Sequence, residues 1–332
     1  MSARIAVAGA GIYGSYAAIR LAESGHTVDL FDPLGVLRAA SDINQFRIHS
    51  GYHYPRSTET IQEILQARAE FISVFPDAIV RKSRHYYAIP HEGSLTPPDA
   101  YEEIMARHHL PLRRCQPEWM DFGFIDRCYE VDENVYDPQT LPGILEARIC
   151  SLKIKFHNRP FVPSLRDRYD FVVYATYGLG PSRGMFPCAK YQVAEKILVE
   201  DGPFTAFDPY GNSCFTQFGS AKNTNHWTTK DPDEPVPEPY AFVLNGPAYQ
   251  PVAFTLFEAM RADACLAVPC AGHARYIGSR FTIRVVEDNP QQDRRILYIH
   301  ERNPGEIHIF SGKVVSAVKA ARLICERIAC GD

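Results

Sequence analysis

The sequence predicts an α/β protein in which a parallel, nucleotide-binding sheet carries an inserted antiparallel domain. Three features of the chain support this prediction. An apolar strand at residues 3–8 leads directly into a glycine-rich turn and an Ala/Leu-rich helix. A nearly continuous apolar strand at residues 170–178 suits the centre of a parallel sheet that is buried on both faces. Residues 188–248 are rich in β-formers, turns and prolines, which favours antiparallel structure.

The glycine-rich turn has the spacing of a dinucleotide-binding fingerprint, with Gly9, Gly11 and Gly14 between a strand and a helix. The first glycine permits the tight bend, the second lets the backbone approach a pyrophosphate, and the third lets the helix pack closely on the strand. The helix start offers free N–H groups and the positive end of its dipole to phosphates. Ile12 and Tyr13, at this helix start, are therefore candidate cofactor contacts.

An acidic residue follows the second strand, as the fingerprint requires. Asp32 comes directly after the apolar run at residues 27–31, at about the expected 20 residues beyond the glycines. A carboxylate at this point accepts hydrogen bonds from ribose hydroxyls and argues against a 2′-phosphate. Asp29 is the rival acid, but it lies within the strand. The fingerprint alone leaves NAD and FAD both open.

The periodicity of the apolar residues predicts further helices at residues 58–75, 250–261 and 314–330. Another helix is predicted at residues 137–149, with Asp137 as its N-cap. The helical segments alternate with extended ones along the whole chain. A chain divided simply into an N-terminal and a C-terminal domain would not alternate in this way.

We therefore predict a discontinuous cofactor domain and a substrate domain that is inserted into it twice. The cofactor domain comprises residues 1–84, 138–187 and 287–332. The substrate domain comprises residues 85–137 and 188–286.

The composition is ordinary for a globular protein, with 332 residues, 45% hydrophobic and 22% charged. The net charge is −4 and no long run of one sign occurs, so we expect neither nucleic acid nor an anionic membrane as a partner. No apolar segment approaches the ~18 residues of a membrane span. The N-terminal strand is unlike a cleaved signal peptide.

The nine cysteines form no CxxC pair and have no zinc-ligand spacing, and the twelve histidines form no HExxH or HxH cluster. We therefore predict no metal site. An odd number of cysteines in a chain of this size is typical of free thiols in a reducing compartment, which predicts a cytoplasmic protein.

A long connection after the second strand, at residues 39–55, carries a Ser/Asn stretch followed by a His-small-Gly-aromatic loop. Its marker residues are Ser41, Asn44, Arg47, His49 and Gly51. Together with the glycine fingerprint, this connection resembles the D-amino-acid-oxidase-like FAD-dependent oxidoreductases. That superfamily includes glycine and sarcosine oxidases, 2-hydroxyglutarate oxidase and glycerol-3-phosphate dehydrogenase.

The strand at residues 170–178 is similar to the second FAD motif of this superfamily, which usually ends Ala-Thr-Gly. Here Tyr177 separates Thr176 from Gly178. The resemblance makes Thr176 and Gly178 candidate cofactor contacts.

Later segments resemble the same superfamily. Residues 279–284 and 293–295 are similar to its late strands, and residues 310–313 are similar to the turn that closes on the flavin. The resemblance places the backbone N–H groups near Gly312 and Lys313 beside the N1–C2=O edge of the flavin. They would stabilise the negative charge that develops there on reduction.

The resemblance implies FAD as the cofactor, in a Rossmann-like domain of the glutathione-reductase type with a mostly antiparallel substrate domain. It also implies that Ser41, Asn44, Arg47 and His49 contact the cofactor and that the backbone near Val162 holds the adenine. The partner is then a small-molecule substrate, while the oligomeric state stays open. The flavin site is shared across the superfamily and the substrate pocket varies, so the substrate is not defined.

His49 is the first candidate for catalysis, because the resemblance places its loop against the flavin. A neutral imidazole there accepts an alcohol proton or orients the substrate, and a packing role is the alternative. Arg47, on the same loop, is a candidate for binding phosphate or for holding the loop. Gln217 and His226 lie in a segment expected to form the sheet over the flavin.

An arginine fork is the usual clamp for a substrate carboxylate. The candidates are Arg284, Arg294 and Arg295. Many amine-oxidising relatives carry this arginine in a Gly-Leu-Arg-Pro turn, which is absent here, so an amino-acid substrate stays open.

The expected reaction is removal of a hydride from a C–N or C–O bond of a small polar substrate to flavin N5. Two alternatives stay open. One is redox-neutral or monooxygenase flavin chemistry, and the other is a non-catalytic FAD-binding protein.

Overall fold

The structure is a computed structural model that describes residues 2–80, 84–186, 189–200, 207–220, 223–289, 291 and 294–330. The predicted domain boundary at residues 187–188 lies outside these ranges. Within them the strands form one six-stranded, one five-stranded and two three-stranded sheets. No helix of the described chain is both long and apolar enough to cross a membrane.

The described residues form seventeen β-strands and seven α-helices. The N-terminal part contains β1 (Arg4–Ala8), α1 (Ile12–Glu23), β2 (Thr27–Phe31), β3 (Arg47–Ile48), α2 (Thr58–Val74), β4 (Ile79–Val80), β5 (His85–Pro90) and α3 (Pro98–Arg107). The middle part contains β6 (Arg113–Cys115), β7 (Ile125–Val131), β8 (Asn134–Tyr136), α4 (Thr140–Ser151), β9 (Lys155–His157), β10 (Phe171–Tyr174) and β11 (Ala189–Glu200). The C-terminal part contains β12 (Phe207–Pro209), β13 (Phe215–Phe218), β14 (Asn225–Thr229), α5 (Tyr240–Val243), α6 (Phe257–Ala267), β15 (Arg275–Glu287), β16 (Tyr298–Asn303), β17 (Glu306–Phe310) and α7 (Ser316–Cys330).

The six-stranded sheet has the order β16-β17-β10-β1-β2-β9. All neighbours are parallel except β16, which pairs antiparallel with β17 at the edge. The central strands β1 and β10 are buried on both faces, as their continuous apolar sequences predict. The helices α1, α2 and α7 pack together on one face of this sheet around the main hydrophobic core.

The five-stranded sheet is antiparallel and is built around the long strand β11. β15 pairs along one edge of β11, and β14 and β13 follow each other along the other edge. β12 extends the sheet beyond β13. Together with the Rossmann-like sheet, this arrangement confirms the predicted fold class.

The two small sheets tie the segments of the chain together. One has the order β5-β7-β6, and the other has the order β3-β8-β4. β3 lies in the long connection at residues 39–55, so its pairing with β8 fixes that connection against the segment that follows β7.

α2 ends one residue before its predicted end, α7 begins two residues after its predicted start, and the other two predicted helices differ more. The side chain of Asp137 accepts hydrogen bonds from the N–H groups of Gln139 (2.8 Å) and Thr140 (2.9 Å). However, α4 begins at Thr140 and its N-cap residue is Gln139, so the predicted N-cap position of Asp137 is wrong. The predicted helix at residues 250–261 is wrong over its first half. Gln250 instead forms an antiparallel bridge with Ser279, and α6 begins at Phe257.

Candidate active site

The glycine fingerprint lies at the carboxyl ends of the parallel strands, where open α/β sheets bind their ligands. Gly9 has a φ of +100°, and a Cβ atom there would come 2.6 Å from the carbonyl oxygen of Ala175, directly after β10. A Cβ atom at Gly14 would overlap the carbonyl oxygen of Gly9. The two neighbouring strand ends therefore approach each other across a backbone contact that only glycine permits.

The start of α1 contacts two segments that are distant in sequence. The N–H of Ile12 donates to the hydroxyl of Ser41 at 3.0 Å, and a Cβ atom at Gly11 would also lie 3.1 Å from this hydroxyl. The hydroxyl of Tyr13 donates to the backbone carbonyl of Lys313. The structure thus brings together the fingerprint, the long connection and the turn before α7.

Asp32 uses both carboxylate oxygens on the backbone around the fingerprint. One oxygen accepts from the N–H of Ala10 at 2.8 Å, and the other accepts from Leu34 (2.7 Å) and Gly35 (3.2 Å). Asp32 therefore shapes the glycine turn in addition to its predicted role as a ribose ligand. Val162 is 40% exposed and directly follows Phe161, whose ring packs edge-on against Phe31 at 5.3 Å, next to Asp32.

The second motif forms a turn after β10. The hydroxyl of Thr176 donates to the carbonyl of Leu179 at 2.6 Å, and Gly178 has a φ of +72°. The inserted Tyr177 also has a positive φ, +57°, and its ring stacks on Phe310 at the end of β17. The turn thus lies beside the strand end that leads to Gly312 and Lys313.

Two predicted cofactor contacts in the long connection are engaged with the protein. The amide of Asn44 donates to the carbonyls of Ala40 (3.0 Å) and Ser41 (2.9 Å) and accepts from the N–H of Phe46 at 2.6 Å. Arg47 forms an ion pair with Asp208 of β12, with Nε 2.6 Å from Oδ1. Asn44 shapes the loop, and Arg47 fastens it to the five-stranded sheet.

His49 lies in a buried polar cluster. Its Nδ1 is 3.4 Å from Oε1 of Glu133, and its ring lies against the rings of His53 and Tyr54. Burial, reinforced by the positive charge of Lys313, lowers the pKa of His49 to about 4 despite the nearby carboxylate. The imidazole is therefore neutral at pH 7.

Glu133 is a buried carboxylate that the sequence analysis missed. Its Oε1 accepts from the N–H of Ser50 at 2.8 Å, and its Oε2 accepts from the hydroxyl of Tyr87 at 2.8 Å. Burial raises its pKa, but His49 and Arg47 outweigh burial and hold the pKa well below its usual value. In the sequence, Glu133 stands in an acidic stretch after a strand, which resembles an ordinary solvated turn.

Lys313 is 9% exposed, and its Nζ lies 4.1 Å from the centre of the Tyr54 ring. Burial and the charge of Arg47 lower the pKa of Lys313 to about 7. α7 begins only at Ser316, so Gly312 and Lys313 precede the helix and do not belong to its first turn. The N–H of Lys313 donates to the hydroxyl of Ser311 at 3.2 Å.

One face of the five-stranded sheet is polar, and we call it the polar sheet face. Strand register places on it Asp208, Gln217, Lys196, Arg280, Gln192 and Arg284. Arg47 reaches this face through Asp208, and Arg280 reaches the long connection through Asp42 at 2.7 Å. The polar sheet face therefore covers the loop that carries His49.

Lys196 is the most isolated charge on the polar sheet face. It is 6% exposed and forms no hydrogen bond or ion pair within the described part of the chain. Burial and the charge of Arg284 lower its pKa to about 7. Oδ2 of Asp208 and Oε1 of Gln217 are buried without a hydrogen-bond partner among the described residues. Buried polar atoms of this kind are satisfied by water or by a polar ligand.

The structure places the remaining candidate substrate-site residues in different regions. Gln217 and Arg284 lie on the polar sheet face, whereas Nε2 of His226 contacts Glu195 at 2.7 Å on the opposite face. Arg294 is held by ion pairs to Glu287 (2.7 Å) and Glu59 (3.3 Å), at the edge of the Rossmann-like domain. Asp293, from the predicted late-strand run, lies outside the described residues.

The family model of an NAD(P)-binding Rossmann-like domain matches residues 7–66. Among solved structures, glycine oxidase from Geobacillus kaustophilus has a TM-score of 0.72 at 14% identity, covering 100% of this chain and 96% of that chain. L-proline dehydrogenase from P. horikoshii has a TM-score of 0.69 at 12% identity, covering 100% and 94%. L-amino acid deaminase from Proteus vulgaris has a TM-score of 0.66 at 12% identity, covering 99% and 94%.

Two curated relatives are described as FAD-dependent monooxygenases. FPY4 of Fusarium mangiferae is 28% identical over 185 residues, which is 52% of this chain and 49% of that protein. The protein kojA of Aspergillus flavus is 28% identical over 148 residues, which is 43% of this chain and 30% of that protein. The matched region thus spans less than half the length of either relative. The structural likeness over 99–100% of the chain shows that this protein has the fold of glycine oxidase, L-proline dehydrogenase and L-amino acid deaminase.

Proposed function

We propose that this chain is an FAD-dependent oxidoreductase that removes a hydride from a C–N or C–O bond of a small polar substrate. FAD, when bound, supplies the two-electron acceptor at its N5 atom. The observation that carries the proposal is that the loop of His49 is joined to the start of α1 through Ser41 and to the polar sheet face through Arg47.

The residues present fit this cofactor. The close packing at Gly9 and Gly14, which a Cβ atom would block, fixes the turn between β1 and α1. Gly11, at the N-cap of α1, would let the backbone approach a pyrophosphate there, so the three glycines would form the phosphate cradle. Residues that would hold FAD are Gly9, Gly11, Ile12, Tyr13, Gly14, Asp32, Ser41, Val162, Thr176, Gly178, Gly312 and Lys313. Asn44 and Arg47 would hold the connection at residues 39–55 in place through their contacts with the protein.

His49 would accept the proton of a substrate hydroxyl, or orient the nitrogen of an amine. The carboxylate of Glu133 beside Nδ1 favours the tautomer that carries a proton on Nδ1. That tautomer leaves Nε2 free as the accepting atom. Glu133 also stabilises the imidazolium that forms when the proton arrives, so the pair resembles a base with its orienting group.

The polar sheet face would orient the substrate from the opposite side. Lys196 and Arg284 supply positive charge there, and Gln217 supplies an amide oxygen without a partner in the described chain. Arg294 is held by two carboxylates at the edge of the Rossmann-like domain. Arg284 lies on the polar sheet face itself, so it is the better placed of the proposed arginine clamps.

A monooxygenase is the second candidate, because both curated relatives are FAD-dependent monooxygenases. The two functions differ in the fate of molecular oxygen. A monooxygenase transfers one labelled oxygen atom from ¹⁸O₂ to its product, whereas an oxidase or dehydrogenase transfers none.

The proposal is tested by purifying the protein, releasing its cofactor with acid and identifying the flavin. Amines, hydroxy acids and sugars are then added without oxygen while the visible flavin absorbance is followed. Bleaching by a member of the panel supports the oxidoreductase. A flavin that only dithionite reduces supports a non-catalytic FAD-binding protein, and a colourless protein that binds NAD overturns the proposal.

A further inference from the structure

Two cysteines face each other in the small sheet β5-β7-β6, away from the fingerprint crevice. Cys115 ends β6 and is directly opposite Cys128 of β7 in the strand register. Their Sγ atoms are 3.8 Å apart, and Sγ of Cys115 also lies 3.8 Å from the carbonyl oxygen of Cys128. None of the eight cysteines that the structure describes forms a disulfide.

The strand register places the backbones of this pair within the range of distances that disulfides span. Directly opposed residues of antiparallel strands have Cα atoms about 4.5–5.5 Å apart. Disulfides span Cα distances of about 4.4–6.8 Å. Rotation of the two side chains therefore suffices to bring the sulfur atoms from 3.8 Å to the bonding distance of about 2 Å.

The two thiols have unequal surroundings. Cys115 is partly exposed, whereas Cys128 is 2% exposed within the apolar cluster that contains Met120, Phe218 and Phe257. Burial and the neighbouring Cys115 raise the pKa of Cys128 to about 12. A dissolved oxidant therefore meets Cys115 first, and Cys128 stays a protonated thiol beside it.

We propose that Cys115 and Cys128 form a redox-active pair that a small peroxide converts into a cross-strand disulfide. The peroxide oxidises the Cys115 thiol to a sulfenic acid, and its O–O bond breaks with release of one water. The sulfur of Cys128 then bonds to Sγ of Cys115, and the hydroxyl leaves with the Cys128 proton as a second water. The two thiols lose two electrons, which reduce hydrogen peroxide to two waters.

The bridge would lie in the sheet that supports the candidate active site. In β5, the hydroxyl of Tyr87 donates to Glu133. Glu133 itself lies two residues beyond the end of β7. The loop between the two cysteines is already anchored at Asp121, whose N–H donates to the carbonyl of Ala267 at 2.9 Å. The disulfide would add a covalent tie to this loop without moving the strands.

The test treats the full-length protein with a small excess of hydrogen peroxide, quenches it, and maps peptides without reduction. The expected result is a peptide that joins Cys115 to Cys128, a loss of about two titratable thiols per chain, and recovery of both after a reducing agent. Cys115→Ser should abolish the linked peptide, while the control Cys150→Ser, at an exposed cysteine, should leave it unchanged. The oxidised wild-type protein should also melt at a higher temperature than the reduced one, because the cross-link constrains the unfolded chain.

Accumulation of sulfinic acid at Cys115 with Cys128 still a free thiol would overturn the proposal, as would a disulfide between either cysteine and another partner. Failure of both thiols to react under conditions that oxidise Cys150 would overturn it as well. These outcomes do not depend on the proposed flavin chemistry, because the readout is the covalent state of the two cysteines.

Discussion

His49 illustrates at the residue scale how surroundings change the chemistry of a side chain. The sequence placed it on a candidate flavin loop. The pKa of His49 depends first on burial and then on Lys313 and Glu133, which lie far away in the chain. Ser50, next to His49, is joined to Glu133 by a hydrogen bond across 83 positions of sequence. No local pattern contains such a pair, so the base could be suggested from the sequence while its orienting group could not.

We expect His49→Gln to slow substrate reduction of the flavin by about 10²–10⁴-fold, the usual contribution of a general base. FAD binding should persist, because the fingerprint contacts are unchanged. Stopped-flow reduction under anaerobic conditions measures the effect, with His300→Gln at an exposed position of β16 as the matched control. A wild-type rate in His49→Gln would remove His49 from the mechanism.

The low pKa of His49 also predicts a pH dependence of stability. The folded-state pKa of about 4 lies below the unfolded value of about 6.5, so the unfolded chain binds more protons between these limits. The stability is therefore fully present above pH 6.5 and falls as the pH drops towards 4, by up to about 3 kcal/mol from this residue. Urea unfolding of cofactor-free protein at several pH values should show a shallower slope in His49→Gln; equal slopes would contradict the buried, neutral imidazole.

At the element scale, strands and helices with strong local patterns were predicted well. The strand–turn–helix of β1 and α1 depends on glycine spacing and apolar runs, and α2 ends within one residue of the predicted helix. The predicted helix at residues 250–261 is wrong over its first half, because the backbone of Gln250 pairs with that of Ser279 in β15 through hydrogen bonds of 3.2 and 2.9 Å. Long-range pairing there overrides the local helical pattern.

Gly14→Ala tests the junction of β1 and α1. The new Cβ atom would meet the carbonyl oxygen of Gly9, so we expect a loss of at least about 1–3 kcal/mol in the free energy of unfolding and loss of bound flavin. Gly143→Ala in α4 is the control, because a Cβ atom there meets nothing within 4 Å. It should be neutral or stabilise by up to about 1 kcal/mol. Chemical denaturation and flavin content measure both variants, and full flavin occupancy in Gly14→Ala would contradict the cradle.

A substitution of Lys196 tests whether the polar sheet face binds the substrate. Because its charge is buried without a described partner, Lys196→Met should raise the free energy of unfolding of cofactor-free protein by roughly 1–4 kcal/mol. The same change should weaken substrate binding, since site residues are often retained at a cost in stability. Lys190→Met on the same strand is the control, because Lys190 is paired with Asp288 at 3.4 Å. Thermal denaturation and the substrate dependence of flavin reduction measure the two effects; unchanged substrate binding would remove Lys196 from the site.

At the scale of the whole molecule, the candidate site exists only where two sheets meet. Arg47 of the long connection is joined to Asp208 of the five-stranded sheet, and Arg280 of that sheet is joined to Asp42 of the connection. The cofactor half of the site could be predicted because its signals are contiguous in sequence. The substrate half could not, because Lys196, Asp208 and Glu133 come together only through strand register and these ion pairs.

We propose for the whole molecule that a bound flavin receives hydride from a small polar substrate beside His49. Anaerobic titration of the purified holoprotein with amines, hydroxy acids and sugars, monitored by the visible absorbance of the flavin, tests this claim most directly. We expect at least one member of the panel to bleach the flavin, and the rate of bleaching to fall sharply in His49→Gln. A protein that carries no flavin and binds NAD instead would contradict it.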